Sequence, residues 1–141
     1  MRILLLLFVI LLSTKSTLAT NKKITLIANL SASISQSFSR KKIKDIYLLK
    51  QRVWPDEKPI IVVNRKADSH LRQLFEQKLG INNKKYALYL KKMHYKGIRL
   101  PIIQNSKKAV LAFVNNVPGT VAYIEGQLPE NYPHIKWIGQ L

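Results

Sequence analysis

The chain reads as an α/β domain in which a mixed sheet is flanked by helices, and three observations lead there. Short β-branched runs recur at intervals, Ile24-Thr25-Leu26-Ile27-Ala28, Ile60-Ile61-Val62-Val63 and Thr120-Val121-Ala122-Tyr123-Ile124. Between them lie segments of helical period, each preceded by Ser, Asp or Asn. The order strand, helix, strand, helices, helix, strand, strand leaves long crossovers between strands, which favours a parallel or mixed sheet over hairpins.

The elements follow in order. Ile24 to Ala28 is a buried strand, and the polar string Asn29 to Ser37 after it is a loop. Ser39 caps a helix that carries Ile43, Ile46, Tyr47 and the stem of Lys50 on one side and ends near Leu49. Trp54-Pro55-Asp56 makes a turn. The run Ile60 to Val63 is too short for a helix and suits a strand covered on both faces. Asp68 or Ser69 caps the next helix, with Leu71, Leu74, Phe75, Lys78 and Leu79 inward and Gly80 at its end. Asn82 caps Asn83 to about Tyr95, where Tyr86, Leu90 and Met93 form one stripe and Gly97 breaks the pattern. Leu100 to Ile103 is a short strand. Ser106 caps a helix through Val110, Leu111, Phe113 and Val114, and Pro118-Gly119 turns the chain into the strand from Thr120. Ile135 to Ile138 is the last apolar piece, and the sheet is expected from the segments near 24, 61, 121 and 136.

Composition narrows the classes of function. Among 141 residues there is no Cys, so no disulfide, thiol nucleophile or cysteine metal site exists. A 47% hydrophobic share, spread along the chain, supports one folded domain. Met1-Arg2, the ten-residue apolar run Ile3 to Leu12 and small residues at Thr17 and Ala19 fit a secretory signal peptide, residues 1–19. The run is short of the roughly 20 apolar residues of a spanning helix, so no transmembrane segment is expected after cleavage. Loss of Arg2 and Lys15 takes the formal charge from +17 to +15 over residues 20–141. Such a balance attracts anions, whether small oxyanions, envelope polyanions or nucleic acid, although scattered lysines also serve as plain solvated faces.

The chemistry is sought where a strand's carboxyl end meets a helix start, at Asn64-Arg65-Lys66-Ala67-Asp68-Ser69-His70. Arg65 and Lys66 bring charge, the helix start brings free amides, and Ser69 brings a hydroxyl, together an oxyanion site. Asp68 opposes an anion unless it pairs with Arg65 or Arg72. Enzymatic arrangements do not form. Asp68, Ser69 and His70 point about 100° apart on a helix and make no relay. His70, His94 and His134 have no metal-ligand spacing, so neither metal nor cofactor is expected. Asp56-Glu57 reads as a solvated turn, and Trp54, Tyr47 and Trp137 as core anchors rather than stacking platforms.

Asp45-Ile46-Tyr47-Leu48-Leu49-Lys50, Trp54-Pro55-Asp56 and Pro59-Ile60-Ile61-Val62-Val63-Asn64-Arg65, followed by Ser69, resemble a stretch in the phosphate-binding proteins of ABC transporters. That stretch reads Asp-Ile-Phe-Leu-Gly-Lys, Trp, a Pro-containing turn, a β-branched strand, and Arg ahead of Ser-Gly-Thr. Pro118-Gly119-Thr120-Val121-Ala122-Tyr123-Ile124 is similar to the family's Pro-Gly-Ala-Ile-Gly-Tyr-Val, and Ser106 to Val117 to the helix before it. The order holds over residues 24 to 138. The resemblance implies a single-domain periplasmic-binding-protein-like fold of type II, a periplasmic location and phosphate or a related oxyanion as ligand. It also implies ABC-type uptake, with an ABC permease or a second protein chain as partner, and no enzymatic activity. Arg65 and Ser69 take the family's Arg and Ser positions. His70 and Leu71 replace its Gly and Thr, so a close backbone approach and one hydroxyl are lost. Ser31 and Ser33, in the loop after the first strand, are the candidates for a further phosphate contact. The chain is one lobe's worth where the transporter components have two, which leaves the ligand half exposed. The alternative is an exported basic interaction protein whose anion site has decayed and whose lysines bind an envelope polyanion or a protein partner.

Overall fold

The structure, a computed structural model, describes residues 22–34 and 37–141. The expected signal peptide therefore lies outside the described residues. Strand β1 is Ile24–Asn29, β2 Ile61–Asn64, β3 Ile102–Ile103, β4 Thr120–Glu125 and β5 Ile135–Gln140. Helix α1 is Arg40–Tyr47, α2 His70–Lys78, α3 Asn83–Tyr95 and α4 Lys107–Asn116. The strands form one mixed sheet in the order β3-β2-β4-β1-β5. Its β3-β2-β4 half is parallel, and its β4-β1-β5 half is antiparallel.

Four side-chain caps start the four helices. Ser39, Ser69, Asn82 and Ser106 accept from the amides of Lys42, Arg72, Lys85 and Ala109 respectively. Between Asp68 and Ser69 as caps for α2, the structure chooses Ser69. Helix α1 ends two residues before the expected Leu49, because the chain turns left-handed there. The Leu49 amide bonds to the Ile46 carbonyl and the Lys50 amide to the Asp45 carbonyl. This is the helix-ending motif that normally takes Gly, yet Leu49 holds φ +58°. The conformation costs a non-glycine residue about 1–2 kcal/mol. Burying the leucine contributes about 1.5–3 kcal/mol, which offsets that cost.

Strand alternation divides the core in two. Ile24, Leu26, Ala28, Val62, Val121 and Tyr123 face α1, α2 and α3, packing on Ile43, Ile46, Tyr47, Phe75 and Tyr86. Ile27, Val63, Ala122 and Ile124 face the other way, onto Val110, Leu111 and Val114 of α4. Trp54 is buried as expected and donates to the Gly119 carbonyl at 3.0 Å. Trp137 departs from expectation, being 53% exposed rather than buried. It lies on edge strand β5, whose outer side carries no further strand among the described residues, only the Phe38 amide on the Ile138 carbonyl, and it sits beside a register shift against Leu26 and Ile27.

Gly119 ties the far end of the sheet together. Its carbonyl receives Trp54 Nε1 and the Ile61 amide, its own amide donates to Ser31 Oγ at 2.8 Å, and its φ is +78°. A Cβ here would stand 2.7 Å from the Pro59 carbonyl oxygen. Gly119→Ala is expected to lower unfolding free energy by about 2 kcal/mol or more, read from the urea midpoint.

Candidate functional site

The parallel half of the sheet brings the carboxyl ends of β2 and β4 together and sets the start of α2 beside them. The cleft there has a volume of about 200 Å³ and is lined by Lys22, Arg65, Ser69, His70, Leu71 and Glu125. Three expected site residues, Arg65, Ser69 and His70, thus meet in one place. Ser31 and Ser33 do not join them. Because β1 runs antiparallel to β4, its outgoing loop emerges at the opposite end of the sheet, and there Ser31 lines a hollow with Trp54, Pro118 and Gly119. Ser31 spends its oxygen on the Gly119 amide, and Ser33 is an exposed residue of the same loop.

Arg65 is held at its backbone. Its amide donates to Asn64 Oδ1 at 2.8 Å, and its carbonyl accepts from Arg72 Nη1 at 2.9 Å. The guanidinium Nη2 donates to the Asn105 carbonyl at 3.1 Å. Nε and Nη1 are buried and find no acceptor among the described residues, and neither does Nδ2 of the buried Asn64. Buried donors in this condition are uncommon in folded proteins.

The support beneath is polar and fully packed. Tyr123 donates to Asn64 Oδ1 at 2.5 Å, and its ring stacks on Phe75 at 3.7 Å. Burial pushes the Tyr123 hydroxyl well above the usual tyrosine range, against the pull of its hydrogen bond with the Arg65 amide. Arg72 and Glu76 form a buried ion pair at 2.7 Å, and Asn83 donates its side-chain amide to the same carboxylate. Sequence reading gave no site role to Glu76 or Tyr123, and it named Asn64 only as part of the junction and Arg72 only as a partner for Asp68. The i,i+4 Arg–Glu spacing on α2 was the visible signal for two of them.

At the start of α2, Ser69 Oγ accepts from the Arg72 amide and remains free to donate its own proton. The His70 and Leu71 amides, first in the helix, have no intrahelical acceptor. Leu71 turns its side chain into the core. His70 stays exposed at the cleft. The cleft is cationic through Arg65 and Lys22, with Glu125 as the opposing charge. Among the described residues no three His, Asp or Glu gather where they could hold a metal ion, and no helix is long and apolar enough to cross a membrane.

Neither a protein-family model nor a curated protein matches the chain. Solved structures do. An ABC-type phosphate transport receptor from Vibrio cholerae is similar with a TM-score of 0.64 at 18% identity, covering 83% of this chain and 46% of its own. A Clostridium perfringens protein assigned as a phosphate ABC transporter substrate-binding protein, with phosphate bound, gives a TM-score of 0.58 at 19% identity over 82% and 53% of the two chains. PstS from Borrelia burgdorferi gives 0.55 at 16% identity over 74% and 40%. The chain spans about half the length of these proteins or less. What the likeness establishes is the fold: a mixed α/β sheet flanked by helices, shared with part of each of these proteins.

Proposed function

We propose that the chain is an exported, non-enzymatic binding protein that takes phosphate or a related oxyanion in the Arg65 cleft. The observation that carries this reading is the pair of buried, unpartnered N–H groups of Arg65, placed beside the amino end of α2. A tetrahedral oxyanion supplies acceptors for both guanidinium nitrogens, the Ser69 hydroxyl and the His70 and Leu71 amides, and the helix dipole favours its charge. Binding of phosphate by a similar fold supports the choice of ligand. A cleft open on one side fits a weak site, with an ABC permease or a second chain closing it during uptake. Residues 1–19 act in this reading as the signal that delivers residues 20–141 to the periplasm.

Isothermal titration of residues 20–141 with phosphate and then sulfate is expected to show one saturable site. Arg65→Ala should weaken it at least about 100-fold, since charged bidentate hydrogen bonds are lost from a partly buried place. Binding that is equal in both proteins and vanishes with salt would instead support the basic interaction protein, in which no single residue matters.

A further inference from the structure

The exposed face of α3 carries the two most exposed large apolar side chains among the described residues, Leu88 at 70% and Tyr95 at 79%. They stand seven residues apart, on the side of the helix opposite the buried Tyr86 and Met93. Lys84 and Lys91 alternate with them along the same stripe, Lys85 and Lys92 flank it, and the helix contains no acidic residue. This is the composition of a helix that rests at an interface: apolar tips in the middle, long cationic side chains around them.

A groove of about 440 Å³ adjoins α3 on its Lys85 and Tyr89 side. Its apolar floor includes Leu48, Ile81 and the rings of Tyr86 and Tyr89. Both tyrosine hydroxyls are turned away to backbone carbonyls, of Tyr47 and Leu48 respectively, so the floor presents hydrocarbon and ring surface. Lys44, Lys50 and Lys85 stand around it. An apolar floor ringed by ammonium groups fits a molecule with a hydrocarbon body and an anionic head.

We propose that α3 and this groove dock the protein on an anionic phospholipid surface. Leu88 and Tyr95 enter the headgroup region, the lysines meet lipid phosphates, and the groove covers acyl chain exposed between headgroups. Charge complementarity selects this occupant, because an apolar stripe flanked only by lysines, with no carboxylate on α3 to repel phosphate, suits a fluid array of anionic headgroups over apolar chains. The surface is separate from the Arg65 cleft, and its test is independent of the oxyanion titration.

The test is co-sedimentation of residues 20–141, which contain every element of the fold, with vesicles of phosphatidylcholine alone or with about one-third phosphatidylglycerol. Binding is expected to the mixed vesicles only. Leu88→Ala with Tyr95→Ala should cut the partition coefficient roughly tenfold, and Lys84→Gln with Lys91→Gln by a similar factor. Lys107→Gln with Lys108→Gln, an equal change of charge on α4, should alter it less than about twofold. Tyr95→Trp, in a Trp137→Phe background, should shift its emission to the blue when mixed vesicles are added. All four substitution sets lie at positions at least partly exposed, and circular dichroism confirms their folding. Failure to bind mixed vesicles overturns the proposal. So does unchanged binding without Leu88 and Tyr95, or an α4 pair that weakens binding as much as the α3 pair, which would mean adhesion by total charge alone.

Discussion

Glu76→Ala is expected to lower the unfolding free energy by about 3–5 kcal/mol, the usual consequence of removing one partner of a buried ion pair. The side chains of Arg72 and Glu76 are only 7% and 4% exposed, and their bond is 2.7 Å long. With the carboxylate gone, the guanidinium keeps one backbone acceptor, the Arg65 carbonyl, and the face of Tyr86 at 5.6 Å. Neither replaces a counter-charge. The amide of Asn83 loses its acceptor at the same time, which loosens the junction of α2 and α3. Urea denaturation measures the loss, and the double variant Arg72→Met, Glu76→Leu decides its origin. If an uncompensated buried charge is responsible, the double variant recovers most of the stability, since two apolar side chains of similar bulk carry no desolvation cost. A single variant that loses less than about 1 kcal/mol would mean that water reaches the pair.

The second large effect is alkaline. Burial raises the hydroxyls of Tyr47, Tyr86 and Tyr123 above the ordinary tyrosine value near 10. Each is neutral and hydrogen-bonded in the folded chain, to the Val63 carbonyl, the Tyr47 carbonyl and Asn64 Oδ1 respectively. Above pH 10 the unfolded chain releases these protons while the folded chain keeps them, so the unfolded state binds fewer protons and stability falls as pH rises. The contribution is fully present below pH 10 and is lost from there upward, toward the raised folded values. Each tyrosine costs up to about 1.4 kcal/mol per pH unit in that window, so three together reach about 4 kcal/mol per unit. The urea midpoint measured from pH 9 to 11 should therefore fall steeply. Tyr123→Phe should make the fall shallower by about one third, although it removes a neutral-pH hydrogen bond worth about 1 kcal/mol.

Helix boundaries were legible because the determinants are local. Ser39, Asn82 and Ser106 announce their helices within three residues, and Gly80 and Gly97 announce the ends of two. Strand direction was not. Whether the loop after β1 lies beside Arg65 depends on which way β1 runs against β4, a pairing that joins residues about a hundred positions apart, such as Ile24 with Glu125. Ser31 and Ser33 were carried over from the resemblance, whose loop at this place contacts phosphate, and the antiparallel half of the sheet sends this loop to the other end. Arg65, Ser69 and His70 come from one continuous junction, so their meeting followed from local order. Trp137 looked like core by residue type, but burial of a strand residue depends on what lies beyond it, and β5 is the edge. The unpartnered nitrogens of Arg65 have no signature in one dimension at all, since only packed geometry shows which donors lack acceptors.

All six residues of β1 are buried, and both strands that pair with it belong to the last fifth or so of the chain. During synthesis a strand buried along its whole length is therefore made early and finds its partners late. At translation rates of about 5–20 residues per second, Ile24–Asn29 waits on the order of 5–20 s for β4 and β5. Helix α1 can cover one face of it early, but its edges stay open, because pairing to a distant segment must first overcome the entropy of closing a long loop. A nascent chain halted before Thr120 leaves both edges of this strand unpaired, an aggregation hazard of the kind that chaperones hold in check. The same pairing that buries the centre of the sheet ties folding of this domain to the arrival of β4 and β5, about a hundred residues after β1.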